Sequence, residues 1–326
     1  HIMKTTLKKI ASAALALTLT AFCFAGCQSG KKDGTYTVGI CQLAQHEALD
    51  AATEGFKKAL TDKLGDKVKF DLQNASGEAT NCTTICAKFV SDKVDLIMAN
   101  ATGALSAAAQ ATDSIPIVAT SVTDFATALG ISDWSGKTDF NVTGTSDLAP
   151  LDRQAAMIKE LVPSAKTVGI LYCSSEPNSK YQANVIAGHL KTLGLTCKEF
   201  TFVDTNDVTA VTTQASDECD VIFAPTDNTV ASNGTAINNV LEPKKIPLIS
   251  GEEGICRKCG VATLAISYYD IGYKAGEMAY EILVNGKDPA KMDIQYATGL
   301  TEKYMPERCT QLGITVPEGY EALSAD

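Results

Sequence analysis

From Thr35 onward, short runs rich in β-branched residues alternate with longer stretches whose apolar residues recur at helical spacing, and this alternation restricts the chain to βαβ units. Residues 35–41 read as a buried strand, and Leu49, Ala52, Phe56, Ala59 and Leu60 follow on one helical face. Residues 67–72 read as a second strand, a helix runs through Cys82, Cys86 and Phe89, and 94–99 read as a third strand. A helix over 103–112 leads to a fourth strand over 115–120, with Pro116 near its entrance. After Asn141-Val142-Thr143-Gly144 the cycle restarts. Helices over 151–161, 180–193, 208–216 and 231–241 alternate with strands over 167–172, 196–202, 221–224 and 246–250. A strand over 261–266 and an amphipathic helix over 270–285 precede a polar tail punctuated by Pro. No short fixed period is present, so an architecture is duplicated and the chain is not a solenoid. The expected fold class is α/β, as two Rossmann-like lobes with parallel sheets joined by a hinge.

Open parallel sheets bind ligands beyond the carboxyl ends of their strands, so two such edges facing each other make a cleft. The polar residues that follow each strand are therefore the candidate ligand contacts. The first half supplies Gln42 and His46, then Thr102, then Ser121, Thr123 and Asp124. The second half supplies Ser174, Glu176 and Asn178, then Asp227 and Asn228 within Pro225-Thr226-Asp227-Asn228-Thr229, then Glu252 and Glu253. Tyr172, Tyr268, Tyr269, Phe125 and Trp134 are candidates to wall an aromatic group, with core packing the default for most of them. Tyr268 stands out because it lies where the chain is expected to cross between lobes. His46 is the one histidine near the expected cleft, where an imidazole can stack or hydrogen-bond; a helix-start residue at the surface is the plain alternative.

Ahead of this body stands a different kind of segment. Lys4, Lys8 and Lys9 precede an uncharged run over 10–24 and the small residues Ala25-Gly26 before Cys27, the pattern of a secretory signal peptide. The run is shorter than the roughly 20 residues that cross a bilayer. His1 and Ile2 read as a cloning remnant ahead of Met3. Small residues before Cys27 resemble the bacterial lipobox, in which the thiol is lipidated and the chain is cut just before it. Residues 3–26 are thus expected to be a lipoprotein signal peptide, 27–34 a tether, and the protein to sit lipid-anchored on the extracytoplasmic face of a bacterial cell membrane. The formal net charge of −10 becomes more negative once a leader with three Lys and no acid is removed, which disfavours nucleic acid as a partner. Of the eleven Cys, those left beyond Cys27 are Cys41, Cys82, Cys86, Cys173, Cys197, Cys219, Cys256, Cys259 and Cys309. Their number is odd and several sit in apolar strand-like runs, as buried thiols do, so a disulfide framework is not expected.

Several segments together resemble one family. They are Val38-Gly39-Ile40 through His46-Glu47-Ala48-Leu49-Asp50, Asn141-Val142-Thr143-Gly144, Pro225-Thr226-Asp227-Asn228-Thr229-Val230, Gly251-Glu252-Glu253-Gly254 and Tyr268-Tyr269-Asp270-Ile271-Gly272. With them the chain resembles the substrate-binding lipoproteins of ABC transporters with the type I periplasmic binding protein fold, in the branch that includes tryptophan- and tyrosine-binding members. Gly103 departs from that branch, where Pro is usual. The resemblance implies capture of a small solute without chemistry, delivery to an ABC permease, a monomer, and no cofactor. It implies an N-terminal lobe of 35–145 and 267–288, and a C-terminal lobe of 146–266 and 289–326. For an aromatic L-amino acid, the ammonium needs a buried acceptor, with Asp227 expected first and Glu253 second. The carboxylate needs donors, expected from Thr102, Ser121 and Thr123 near helix starts, although each is also an ordinary helix-capping residue type. A sensory protein for another small solute, such as an aliphatic amino acid or a nucleoside, is the alternative.

An exported hydrolase is a third reading. A serine hydrolase using His46 is compatible with the sequence, but no Gly-x-Ser-x-Gly elbow, P-loop or Gly-x-Gly-x-x-Gly after the first strand is present. Cys256-Arg257-Lys258-Cys259 has the spacing of half a zinc site or a redox pair, yet no second Cys pair or His cluster accompanies it, so no metal is expected.

Overall fold

The structure is a computed structural model that describes residues 34–325; the leader, Cys27 and the tether up to residue 33 lie outside the described residues. Two sheets divide the chain. The first has the order β11-β5-β4-β3-β1-β2, with β1 (Tyr36–Gln42), β2 (Val68–Asn74), β3 (Leu96–Asn100), β4 (Ile117–Val122), β5 (Val142–Ser146) and β11 (Gln295–Tyr296), all parallel. The second has the order β13-β12-β10-β9-β8-β6-β7. Its strands are β6 (Thr167–Cys173), β7 (Thr196–Phe202), β8 (Val221–Ala224), β9 (Leu248–Ser250), β10 (Ala262–Ala265), β12 (Thr301–Tyr304) and β13 (Glu321–Ala322). Among the described residues the one antiparallel pairing is that of β12 with β10.

Each sheet is covered on both faces, which is why its central strands are buried along their length and do not alternate between buried and exposed. On the first sheet, Tyr36, Val38 and Ile40 of β1 face one cluster with Phe56 of α1 (Glu47–Leu64) and Ala275 of α10 (Tyr268–Leu283). Cys41 faces the other cluster, with Cys82, Cys86 and Phe89 of α2 (Ala79–Ser91). Helices α1 and α10 touch backbone to backbone. A Cβ added to Gly272 would fall 2.0 Å from the Ala52 carbonyl oxygen, and one added to Gly55 would fall 2.1 Å from that of Tyr269. In the second lobe, α5 (Leu151–Leu161) and α6 (Pro177–Thr192) cover one face, while α7 (Val208–Glu218), α8 (Asn228–Lys244) and α9 (Glu253–Cys259) meet the other.

The expected C-terminal boundary at 288/289 is corrected by strand pairing. Gln295 and Tyr296 pair with Thr145 and Ser146 of β5, and Ile294 is buried in the first lobe's core. The third crossing therefore follows Tyr296 and leads into β12. The polar tail holds more order than its composition suggests, with β11 to β13 and α11 (Pro306–Leu312). Among the described residues no helix is long and apolar enough to cross a membrane.

Candidate functional site

The carboxyl ends of the two sheets face each other and enclose a small cavity. It is lined from the first lobe by His46, Ala48, Leu49, Ser121, Thr123 and Asp147, from the second by Asn178, Thr226, Asp227, Asn228, Ala231 and Glu252, and at the crossing by Tyr268. The enclosed space is about 10 Å³, room for one water molecule. The lobes meet directly around it. His46 Nε2 donates to Asn228 Oδ1 at 3.0 Å, Thr123 and Thr226 hydroxyls lie 3.5 Å apart, and Gln182 Nε2 donates to Thr123 Oγ1 at 3.2 Å. Outside the His46–Asn228 contact a groove of about 630 Å³ opens between the lobes and shares Asn178 and Asn228 with the cavity.

The first lobe presents unused donors. Its α1 starts after His46 and its α3 (Thr102–Ala111) after Ala101, and neither start has a side-chain cap. Thr102 Oγ1 and Ser121 Oγ are buried without a hydrogen-bond partner, and only Ser121 of the two lines the cavity. Ser121 is held at φ 56° where the β4–β5 register shifts between Ala119 and Val122, and Ala101 sits at φ 93°. Strained backbone of this kind persists where the surroundings over-determine it and concentrates at ligand sites.

The second lobe presents carboxylates. Asp227 caps α8 by accepting from Val230 N at 2.8 Å, and its other oxygen accepts from Cys173 N and Ser179 Oγ, both at 2.7 Å. Burial, helped by the neighbouring Glu176 carboxylate, still pushes its pKa up to about 8. Glu176 itself takes the Asn228 and Thr229 amides, the Asn228 Nδ2 and the Thr229 hydroxyl, all within 3.0 Å, so it anchors the start of α8 and lines the groove, not the cavity. Asn178 Nδ2 donates to the Thr226 carbonyl at 2.9 Å. Glu252 caps α9 through Gly254 N and Ile255 N at 2.7 and 2.5 Å, and burial pushes it up to about 7. Burial also lowers the His46 pKa and so favours the neutral ring, against the opposing pull of the Asn228 hydrogen bond.

At the crossing, Tyr268 OH donates to Asp147 Oδ2 at 2.7 Å, and Thr123 Oγ1 lies 3.3 Å from Asp147 Oδ1. Burial raises the Asp147 pKa. Among the described residues, three carboxyl groups therefore line the cavity, and no Lys or Arg does.

Of the residues expected from sequence, the structure brings His46, Ser121, Thr123, Asn178, Asp227, Asn228, Glu252 and Tyr268 onto the cavity. Seven others lie elsewhere, Glu176 on the groove as described above and six at other places. Gln42 ends β1 pointing at α1; its Nε2 donates to Asp50 Oδ1 and the Ala44 carbonyl, and its Oε1 accepts from Thr53 Oγ1. Thr102 is buried behind the wall, in the first turn of α3. Asp124 caps α4 (Phe125–Leu129) through Thr127 N at 2.7 Å. Tyr172 packs into the second lobe's core and donates to Glu199 at 2.6 Å, and Ser174 donates to the Phe202 carbonyl at 3.2 Å. Glu253, expected as the second ammonium partner, turns outward to Arg257 and Lys303. Of the other rings considered as walls, Phe125 and Trp134 pack with the first lobe's core, and Tyr269 stacks on Tyr273 with ring centroids 6.3 Å apart. The sequence reading missed Asp147 and Gln182. Asp147 lies one residue beyond β5, and the pattern of carboxyl strand ends applied to that strand finds it. Among the described residues no cluster of His, Cys, Asp and Glu has the arrangement to hold a metal ion.

Comparison with known proteins matches residues 37–325 to the model of the family described as ABC transporter substrate binding protein. The tyrosine-binding protein of Clostridioides difficile (strain R20291) is 39% identical over 249 residues, covering 76% of this chain and 72% of that protein. The ABC domain from Streptococcus pneumonia solved in complex with L-Trp is 30% identical with a TM-score of 0.85, covering 89% of this chain and all of that one. The ligand-free, open structure of a substrate-binding protein with adhesive properties from Clostridium difficile is 34% identical, yet its TM-score is 0.68 over 90% of this chain and all of that one. The chain thus superposes better on the L-Trp complex than on the open, ligand-free structure. The chain belongs to the ABC transporter substrate-binding protein family.

Proposed function

We propose that this protein captures an aromatic L-amino acid between its lobes and delivers it to an ABC permease at the extracytoplasmic face of the membrane. The observation that carries the reading is the division of labour across the cavity. Buried carboxylates with no basic partner stand on the second lobe and at the crossing, and an unpartnered hydroxyl and an uncapped helix start stand on the first. A zwitterion matches both sides at once, its ammonium toward Asp227 and its carboxylate toward Ser121 and the start of α1. The small wall residues Ala48 and Ala231, with the His46 and Tyr268 rings, suit a flat apolar side chain once the lobes part to admit it. The named ligands of the tyrosine-binding protein and of the L-Trp complex support the same class.

Titration calorimetry with tyrosine, phenylalanine, tryptophan, leucine and isoleucine, and a nucleoside as control, tests the reading. Binding of an aromatic member in preference to the others is expected; binding of the nucleoside or an aliphatic amino acid alone overturns the solute class. Lipid anchoring through Cys27 belongs to the same proposal. Labelling with a fatty-acid analogue should mark the wild-type chain, and Cys27→Ser should be unlabelled and uncleaved or released to the medium. An unlabelled wild-type chain removes the anchor from the proposal.

A further inference from the structure

The start of α1 touches the second lobe at two consecutive residues. His46 reaches Asn228 at the head of α8, on the cavity side, and Glu47 reaches Arg257 of α9 on the opposite side, where Arg257 Nε donates to Glu47 Oε1 at 3.0 Å. Within the second lobe Arg257 is held from two directions. Glu253 of its own helix takes one terminal nitrogen, the Ser324 carbonyl takes the other at 2.7 Å, and Lys303 fixes Glu253 from β12 at 2.9 Å. All of those partners belong to the second lobe, and Glu47 alone belongs to the first. When the lobes separate, the guanidinium keeps its geometry and loses one contact.

We propose that Arg257 is a positioning residue for closure, a preset clasp that receives Glu47 and prolongs the closed state without touching the solute. The proposal rests on the reading of the cleft as a closing solute site. An arginine already fixed by a carboxylate and a carbonyl loses little freedom when it takes a further partner, so more of the attraction survives as net stabilisation than in an ordinary surface pair. The pair is still partly exposed, with Arg257 at 20% and Glu47 at 48%, which makes its contribution modest and dependent on salt. The His46–Asn228 contact shares the cavity wall with the solute, whereas the Glu47–Arg257 contact lies outside it. The clasp can therefore tune release rate independently of what the pocket recognises.

Glu47→Gln, Arg257→Gln and the double variant of the mature protein test this by two readouts. The first is small-angle scattering without solute, at low and high salt, which needs no ligand assignment. The second is the dissociation rate of L-tyrosine in stopped flow. Each single variant should enlarge the radius of gyration at low salt and speed dissociation by about two- to fivefold, with association little changed. The double variant should be no worse than the worse single, and high salt should erase the difference from wild type. Additive effects, or wild-type scattering together with wild-type dissociation in both single variants, overturn the clasp. Failure of L-tyrosine to bind at all counts against the proposed solute, and the scattering comparison then decides the clasp by itself.

Discussion

Asp227 accepts one hydrogen bond on Oδ1 and two on Oδ2, all from its own lobe, which leaves one lone-pair direction on Oδ1 for a donor in the cavity. The proposed solute's ammonium would take that direction. Asp227→Asn keeps an acceptor for the α8 cap and removes the charge, so it should weaken solute binding by about 30-fold or more in calorimetry while the protein stays folded. The same carboxyl sets a pH dependence. Its folded pKa of about 8, and that of Glu252 of about 7, stand above the ordinary values of 3.8 and 4.5. Between those limits the folded, solute-free protein holds protons that an unfolded chain has released, so these two groups make stability fall as pH rises through that window. The ammonium of the proposed solute favours the ionised carboxylates and acts in the opposite sense. Binding should release protons and tighten as pH rises from about 6 to about 8. Calorimetry in two buffers of different ionisation enthalpy reads the protons released, and a buffer-independent heat would remove Asp227 from the ammonium. Legibility ran out at this scale over single-residue choices. Glu252 and Glu253 are adjacent and chemically alike, and only the cap geometry of α9 decides that the first points in and the second out. Gln42 and Tyr172 sit at strand ends, but strand alternation sends their side chains to a helix-covered face.

At the scale of elements, caps and contacts between helices divide structural from functional residues. Asp124→Ala should cost about 1 kcal/mol through the lost α4 cap and leave solute affinity unchanged, which thermal melts and calorimetry together would read. Gly272→Val should destabilise by more than the roughly 1 to 3 kcal/mol of ordinary overpacking, because the obstacle is backbone and cannot swing away. The long helices and the central strands were readable in sequence, since apolar residues recurring at helical spacing suit a one-sided helix and continuous β-branched runs suit a strand covered on both faces. The tail was not. Strands β11 and β13 contain two residues each, too short for any periodicity, and their partners are distant in the chain.

At the scale of the whole molecule, the duplicated α/β halves and their facing edges followed from the order of elements, but the last crossing did not, because it depends on which sheet accepts β11. A cavity of one water's volume shut by direct contacts between the lobes implies that solute enters only after they separate, and that solute contacts on both sides favour return to a closed form. Scattering at saturating solute should show a smaller radius of gyration than without it, and identical radii would refute closure on binding. The glycine seam between α1 and α10 adds a mechanical consequence. With backbones in contact at Gly55 and Gly272, the two helices cannot slip past each other and behave as one stiff lever. One end of that lever carries His46 and Glu47, which touch the second lobe, and the start of its other arm is Tyr268, at the crossing itself. A pull at the tip of α1 is thus delivered as rotation at the fulcrum, so whatever grips Glu47 or His46 turns the hinge without deforming either sheet.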